Sequence, residues 1–445
     1  MKISFISLGC AKNLVNTEQM MALCRDAGHT LQEEPAGADV VVINTCGFID
    51  SAKEEAIDTI LSAAELKAAG QVRKILVTGC LTQRYQQEIL TELPEVDGIM
   101  GTGSYGEIVS ALAELMAGGR PCRFADIHGM IDEFDRVLTT PKHYAYLRIA
   151  EGCDNRCAYC VIPSLRGKFR SRTKESILEE ARLLAASGVK ELIIVAQDIT
   201  RYGIDLYGKV CLTELLKELC KLDFRWVRLH YLYPELIDDE LIDEIASEDK
   251  IVKYLDIPIQ HINDTILRRM NRRGNGEYVK ELFAKLRREI PGLVLRTSLI
   301  TGLPGEGEAE FAQLCDFLKE YKLERVGAFA FSPEEGTRAA EMEYPDTEIA
   351  RQRADMVAEI QSRIMDDYNE SCIGKTMQVL CEGYDPDEES YYGRTFADSP
   401  DIDGKIWFTA EKHIKTGDFV DIHVLDTYDG ELVGVLEEEY NDDCE

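Results

Sequence analysis

The feature with the clearest chemistry is a compact group of three cysteines, Cys153, Cys157 and Cys160, spaced as C-x3-C-x2-C. A structural zinc site is usually closed by four ligands, and no fourth cysteine or histidine lies near this group in the sequence. A cubic [4Fe–4S] cluster explains three ligands, because thiolates hold such clusters and one iron is then free to bind a small molecule. The spacing therefore favours an iron–sulfur cluster over structural zinc.

Three further cysteines each follow a short apolar, β-branched run. The runs and their cysteines are Lys2–Gly9 with Cys10, Asp39–Thr45 with Cys46, and Lys74–Gly79 with Cys80. Such runs are typical of buried strands in a parallel sheet, and open α/β sheets bind ligands beyond the carboxyl ends of their strands. Each cysteine alone could be a small buried core residue. Three in equivalent positions instead predict a second set of three thiols at one sheet edge.

The elements around the second set predict a doubly wound α/β domain over residues 1–135. Strand-like runs alternate there with helical stretches, one directly after Cys10 and another over Ala52–Ala68. Leu138–Tyr144 is predicted to be a linker, because Pro141 interrupts regular structure.

A second series of strands and helices occupies residues 139–371. Its six strand-like runs are Ala145–Ala150, Glu191–Gln197, Trp226–Leu232, Tyr254–Ile259, Leu293–Ile300 and Arg325–Phe331. Six βα units in series favour an incomplete (βα)6 TIM-like barrel over an open sheet. Such barrels carry their chemistry at the carboxyl ends of the strands. Cys153 follows the first strand-like run, so the compact cysteine group falls at that end.

The last segment, residues 372–445, follows a helix predicted over residues 346–370 and changes to a period of two. Val420, Ile422 and Val424 alternate with polar residues, which indicates a small all-β domain, most simply a barrel. Glycine-containing turns are predicted at Tyr392–Arg394, Asp403–Lys405 and Asp429–Glu431.

Charge is concentrated in this last segment. The chain has a net charge of −31, and residues 372–445 hold 20 acidic and 5 basic residues, a net of −15. Such a surface repels nucleic-acid phosphate and attracts a basic protein. The alternative is an acidic face that serves only solubility.

Cysteine usage and hydropathy predict a cytoplasmic protein. No run approaches the roughly 20 apolar residues of a membrane span, and the first residues lack a secretory signal pattern. Fourteen cysteines in a reducing compartment indicate metal binding or catalysis rather than a disulfide framework. The remaining eight show no ligand spacing: Cys24, Cys122, Cys211, Cys220, Cys315, Cys372, Cys381 and Cys444.

The C-x3-C-x2-C group after the first strand of a partial barrel resembles the radical S-adenosylmethionine (SAM) superfamily. Together with the second trio, the chain resembles the methylthiotransferases over essentially its whole length. The matching segments are SLGCAKNLVNTEQM, INTCGFID, TGCLTQRY, IAEGCDNRCAYCVIPSLRGKFRSR, AQDITRYGIDLYG, YLDIPIQHIND and the β tail. It most resembles the type that modifies an aspartate of small-subunit ribosomal protein uS12, through GTGSYGEI, TTPKHYAYLRIAEGCDNRCAYC and GRTFADSPDIDGKIWF.

This resemblance implies a transferase with two [4Fe–4S] clusters and SAM as cofactors. It implies an N-terminal methylthiotransferase domain, a radical SAM barrel and a C-terminal TRAM domain. Cys10, Cys46 and Cys80 would bind the auxiliary cluster, and Cys153, Cys157 and Cys160 the radical SAM cluster. The implied reaction adds a methylthio group to the β-carbon of a uS12 aspartate. Catalytic and SAM-binding residues beyond the cluster ligands are not predicted.

Two other functions remain as alternatives. A tRNA adenosine methylthiotransferase would share all six cysteines, but a tRNA-binding tail needs basic residues, so the acidic tail disfavours direct tRNA binding. A non-enzymatic iron–sulfur redox sensor would not need a large barrel with a small-molecule cavity. The implied partners are therefore uS12 and an electron donor that the sequence does not identify, with no membrane.

Overall fold

The computed structural model describes residues 1–129, 131, 133 and 135–440, and Cys444 lies outside them. The first sheet is parallel throughout, with strand order β2-β1-β3-β4-β5-β6. Its strands are β1 (Lys2–Ser7), β2 (Thr30–Gln32), β3 (Val40–Thr45), β4 (Lys74–Gly79), β5 (Gly98–Met100) and β6 (Cys122–Arg123). The order reverses between β1 and β3, which creates the switch point of a doubly wound sheet.

Helices cover both faces of this sheet. They are α1 (Ala11–Asp26), α2 (Asp50–Ala68), α3 (Cys80–Tyr85), α4 (Gln87–Glu92) and α5 (Ile108–Met116). Alternate residues of β3 belong to two different cores: Val41 packs with Ile60 of α2, whereas Val42 packs with Met20 of α1. Because both faces of this sheet are buried, its strands are continuous apolar runs in the sequence. The predicted doubly wound α/β fold is confirmed.

The second sheet has six parallel strands in the order β14-β13-β12-β11-β10-β7. They are β7 (Tyr144–Arg148), β10 (Glu191–Val195), β11 (Trp226–Leu229), β12 (Ile251–Asp256), β13 (Val294–Thr301) and β14 (Arg325–Ala330). The order follows the chain without reversal, so right-handed crossovers place the helices on one face. The sheet is not closed between β7 and β14. It is therefore the predicted partial barrel rather than a doubly wound open sheet.

Nine helices and a short hairpin accompany the barrel strands in the described part of the chain. The hairpin pairs β8 (Ala150–Glu151) with β9 (Arg170–Ser171). The helices are α6 (Ile162–Arg166), α7 (Lys174–Ala186), α8 (Ile204–Tyr207), α9 (Leu212–Leu219), α10 (Asp239–Ser247), α11 (Asp264–Arg269), α12 (Gly276–Glu289), α13 (Glu308–Tyr321) and α14 (Thr347–Glu370). None of the helices in the described residues is both long and apolar enough to cross a bilayer.

The third unit is a closed five-stranded barrel with the order β15-β16-β17-β19-β18. Its strands are β15 (Thr376–Asp385), β16 (Ser390–Arg394), β17 (Ile406–Thr409), β18 (Phe419–Tyr428) and β19 (Glu431–Leu436). The turn predicted at Tyr392–Arg394 is wrong, because these residues belong to β16. A Cβ on Gly393 would lie 2.4 Å from the Leu380 carbonyl oxygen, so this glycine permits close strand approach within the barrel.

Buried ion pairs attach this small barrel to the large one. Glu191 of β10 accepts a hydrogen bond of 2.6 Å from Arg228 Nε and another of 2.6 Å from Arg394 Nη2 of β16. All three side chains are almost completely buried. Burial alone would raise the pKa of Glu191, but the charges of Arg394 and Arg228 outweigh it and lower the pKa to about 2.

Substituting Glu191→Gln is expected to destabilise the protein by about 3–5 kcal/mol, because buried Arg228 loses its carboxylate partner and buried Arg394 keeps only Glu382. Urea unfolding measures this loss. The matched control is Lys322→Met, which removes an exposed pair with Asp367 worth about 0–1 kcal/mol. Since the pKa of Glu191 is lowered on folding, its stabilisation is complete above pH 4.5 and is lost towards pH 2. A difference between wild type and Glu191→Gln that stays constant across this interval would contradict the argument.

Candidate functional site

The structure places Cys10, Cys46 and Cys80 at the carboxyl edge of the first sheet. Cys10 caps the N-terminus of α1 after β1, Cys46 directly follows β3, and Cys80 is the first residue of α3 after β4. The strands β1, β3 and β4 are adjacent, and β1 and β3 flank the switch point. The three cysteines therefore occupy the position where doubly wound sheets bind their ligands.

Two glycines allow the backbone of these loops to come close together. Gly9 has φ +83°, and a Cβ there would lie 2.7 Å from Cys46 Cβ. Gly79 has φ +101°, and a Cβ there would lie 2.5 Å from the carbonyl oxygen of Thr45. Side chains would be strained in this backbone region and would also clash. The residue before Cys10 thus contacts Cys46, and the residue before Cys80 contacts the end of β3.

The three thiols are close enough to influence one another electrostatically. Burial, followed by the charges of Cys80 and Cys10, raises the pKa of Cys46 to about 12. Burial also raises the pKa of Cys80. Cys10 is exposed in the structure. Desolvation by the surrounding protein would raise its pKa, but the charges of Lys12 and Arg166 outweigh this effect and lower the pKa. Metal binding would have to displace protons from at least two of these thiols.

Cys153, Cys157 and Cys160 lie together in the loop between β8 and α6, at the carboxyl side of the barrel sheet. Cys157 Sγ is 3.0 Å from the hydroxyl of Tyr233 and accepts a 3.9 Å hydrogen bond from Arg272. The Arg272 guanidinium lies 4.1 Å from the centre of the Tyr233 ring. Hydrogen bonds and positive charge of this kind stabilise thiolates that ligate a cluster.

Other barrel loops hold this cysteine loop in place. The Ala158 amide donates to the Met270 carbonyl at 2.9 Å, and the Ala158 carbonyl accepts from the Ala339 amide at 2.9 Å. Asn155, which is buried, donates to Asp198 at 2.9 Å. Backbone bonds to segments far apart in sequence therefore fix the loop without using its thiols.

The segments that carry the two cysteine trios meet between the first sheet and the barrel. Arg166, at the end of the helix that follows Cys160, is 3.4 Å from Cys80 Sγ. The same guanidinium donates to Asn13 at 2.9 Å and to Asn16 at 2.8 Å, both on α1. Around it, a small apolar cluster joins Cys80 with Phe48, Val161 and Leu165. One buried arginine thus bridges the segments that carry the two trios.

Helix α1 is buried on both sides, which explains its unusual composition. Its apolar residues Met20 and Cys24 pack under its own sheet. Its buried polar residues face the barrel, where Gln19 accepts from Arg148 at 3.2 Å and Asn13 and Asn16 accept from Arg166. An inward polar stripe of this kind at i, i+3 spacing orients one domain against the other.

The donor sets fit clusters better than single metal ions. Over the described ranges, no three His, Cys, Asp or Glu side chains are placed so that they could hold one metal ion. Tetrahedral zinc would require its thiolates to converge at about 2.3 Å from a common point. Each trio lacks a fourth protein ligand and has a cationic side chain beside one of its sulfurs, Arg166 at Cys80 and Arg272 at Cys157, which matches an anionic cluster whose charge needs compensation.

Comparison with known proteins agrees with this organisation. Residues 2–101 match the model of uncharacterized protein family UPF0004, residues 147–318 the radical SAM superfamily, and residues 373–436 the TRAM domain. Ribosomal protein uS12 methylthiotransferase RimO of Lachnoclostridium phytofermentans is 47% identical over 98% of this chain and 100% of its own length. The protein of the same name from Clostridioides difficile is 46% identical over 98% of both chains.

The chain belongs to the RimO family of ribosomal protein uS12 methylthiotransferases. Members of this family are radical SAM transferases that carry two [4Fe–4S] clusters and use SAM. Among solved structures, the radical SAM methyltransferase TsrM of Kitasatospora setae matches with a TM-score of 0.57 and 13% identity, covering 76% of this chain and 73% of that one. That likeness concerns the fold alone.

Several side chains at the site were not singled out by sequence reasoning. They are Lys12, Arg166, Tyr233 and Arg272. Lys12 and Arg166 do lie close to cysteines in sequence, within segments that resemble the family. Tyr233 and Arg272 carry no local signal, because they reach Cys157 only through the barrel fold.

Proposed function

We propose that this chain transfers a methylthio group to the β-carbon of an aspartate in ribosomal protein uS12. The observation that carries the proposal is the placement of two separate three-cysteine groups, one at the carboxyl edge of the first sheet and one in the first loop of the barrel, with Arg166 joining the segments that carry them. Full-length similarity to proteins named as uS12 methylthiotransferases supports the substrate. An aspartate β-carbon has no easy ionic route to sulfur insertion, which explains the use of radical chemistry.

We assign Cys153, Cys157 and Cys160 to the cluster that binds SAM, and the three cysteines of the first sheet to the auxiliary cluster. When bound, these groups supply hydrogen abstraction from an unactivated carbon and sulfur with a methyl group. The protein's own residues hold and orient them. Tyr233 and Arg272 hold Cys157, whereas Arg166 neutralises Cys80 and fixes the two halves of the site relative to each other.

Charge supports a basic protein partner. Residues 372–445 have a net charge of −15, and the closed β-barrel domain that they form exposes acidic side chains such as Asp387, Asp421 and Glu438. Such a surface steers a basic protein towards the site and opposes the tRNA backbone. The reaction also needs an external electron donor, which we leave unnamed, and we expect the enzyme to act in the cytoplasm without a membrane.

The proposed domain division is 1–135, 139–371 and 372–445. It is supported by the ranges of the three main sheets, which run over residues 2–123, 144–330 and 376–436. The auxiliary site would then belong to the first domain and the SAM-binding site to the second, so catalysis would occur between domains rather than within one.

Mass spectrometry of ribosomal proteins and tRNA from cells with and without this gene tests the function. We expect a mass increase equal to one methylthio group on an aspartate of uS12, present only when the gene is present. Complementation with the Cys157→Ala form is the matched control and should not restore the modification. A gene-dependent methylthio group on tRNA adenosine, with uS12 unmodified, would favour the alternative substrate.

A further inference from the structure

Lys12 is a buried cation placed between the two halves of the site. It follows Cys10 by two residues on α1 and is only 6% exposed. Its Nζ lies 3.4 Å from the centre of the Tyr231 ring, which belongs to the carboxyl end of a barrel strand. Its closest electrostatic partners are Tyr231, Cys10 and Glu151. The ammonium therefore projects from the first domain into the mouth of the barrel.

Within the described part of the chain, no carboxylate forms an ion pair with this ammonium. Glu151 is the nearest candidate, but its carboxylate is already engaged by Arg148 at 2.9 Å, Arg166 at 3.4 Å and Gln197 at 2.6 Å. Lys12 Nζ instead lies over the face of the Tyr231 ring, a weak cation–π interaction. A buried cation without a carboxylate partner is costly unless an anion joins it when the site is filled.

Tyr231 is held beneath the ammonium in a strained backbone conformation. Tyr231 has φ +62°, a backbone conformation that tyrosine rarely adopts, and its amide is fixed by a 3.1 Å hydrogen bond to Asp256. Its carbonyl accepts from the Ile199 amide at 3.1 Å. Strain of this kind is concentrated where a side chain must be held in one position for function.

We propose that Lys12 binds the side-chain carboxylate of the target aspartate. This inference rests on the proposed function, and it names the residue that selects the substrate. A carboxylate paired with Lys12 would lie between the cysteines of the first sheet and the mouth of the barrel. The adjacent β-carbon would then be held where the segments that carry the two trios meet. A charge-assisted hydrogen bond in a buried site discriminates strongly against a neutral amide of the same shape.

A role in balancing the charge of the auxiliary site would predict a different pattern. Arg166 already donates to Cys80 directly, whereas among the described residues the Lys12 ammonium donates no hydrogen bond to a cysteine sulfur. A charge-balancing lysine would affect cluster retention and all substrates equally. A carboxylate-binding lysine affects the preference for aspartate over asparagine.

The test measures equilibrium binding of recombinant uS12 to the anaerobically reconstituted full chain, with SAM present. Two forms of uS12 are used, one with the target aspartate and one with asparagine in its place. We expect wild type to prefer the aspartate form by at least about tenfold. Lys12→Met should bind both forms about equally, and Lys12→Arg should retain the preference. The matched control is Lys168→Met, which removes an exposed lysine beyond α6 and should leave the ratio unchanged.

Each outcome decides the matter. Equal binding of the two uS12 forms by wild type overturns the proposal without any variant. An unchanged preference in Lys12→Met, at wild-type iron content, also overturns it. If Lys12→Met loses iron, the test depends on wild type and Lys12→Arg. Both must then bind the aspartate form of uS12 more tightly than the asparagine form, because both keep a positive charge at this position, and loss of the preference in Lys12→Arg at wild-type iron content overturns the proposal. If wild type neither binds nor modifies uS12, the proposed function itself fails, which is distinct from equal binding of both forms.

Discussion

Replacing Cys157 with alanine is expected to reduce the formation of 5′-deoxyadenosine from SAM to background, a loss of about 100-fold or more. The reason is that Cys157 is the central member of the barrel trio and has the most supporting contacts, from Tyr233 and Arg272. Outer-shell changes at metal sites already cost 10–100-fold in affinity or activity, so loss of a ligand costs at least as much. Anaerobic turnover with a chemical reductant and quantification of 5′-deoxyadenosine measure the effect.

The matched control for this substitution is Cys122→Ala. Cys122 is exposed, lies in β6 at the far edge of the first sheet and belongs to neither trio. The Cys122→Ala substitution also removes one cysteine sulfur, but it should leave both iron content and SAM cleavage at the wild-type level. Normal 5′-deoxyadenosine formation by Cys157→Ala would show that Cys157 does not ligate the SAM-binding cluster, and the assignment of this trio would be abandoned.

Much of the fold could be predicted because the hydrophobic pattern of each segment agrees with the order of strands and helices along the chain. Continuous apolar strands such as Val40–Thr45 are buried on both faces, so they indicated a parallel sheet between helices. Serial βα units indicated the barrel, and the order of its strands without reversal confirmed it. The exception was Tyr392–Arg394, where Gly393 looked like a turn residue. Its role is to let β15 and β16 approach closely, and no local pattern reveals such a contact.

The composition of the candidate site could be predicted, but its assembly could not. Each cysteine of the first sheet follows a strand, so topology alone gathers them at one edge. The bridge from Arg166 to Cys80 joins residues 86 positions apart, and no periodicity encodes it. Helix α1 was recognisable as a helix, yet its polar face gave no reason to expect burial until the barrel was seen against it.

Interface geometry also explains why the two trios should be separable by mutation. Arg166 contacts the sulfur of Cys80, but the contacts of the barrel trio come from Tyr233, Arg272 and the Ile162 amide. These supports belong to barrel loops and do not depend on the first sheet. Loss of a ligand in the first trio should therefore leave the second trio intact, although Cys157→Ala would stop the whole reaction.

Cys46→Ala is accordingly expected to form 5′-deoxyadenosine but no methylthiolated uS12. Cys46 lies at the end of β3, and its neighbours Gly9 and Cys10 belong to the same sheet edge. Its loss should remove the auxiliary cluster and about half of the bound iron, since each cluster holds four irons. The measurement compares 5′-deoxyadenosine with methylthiolated product, together with iron content, in one anaerobic reaction.

The control for Cys46→Ala is Cys24→Ser, placed in the same domain. Cys24 is a buried core cysteine of α1 whose pKa is raised to about 12 by burial, so serine there tests general damage to this domain rather than loss of a ligand. We expect it to retain product formation in proportion to the folded fraction. Methylthiolated product from Cys46→Ala would refute the division of labour between the trios. If Cys46→Ala lost both SAM cleavage and product, the barrel trio would depend on the first sheet. That result would contradict the argument that Cys157 is supported by barrel residues alone.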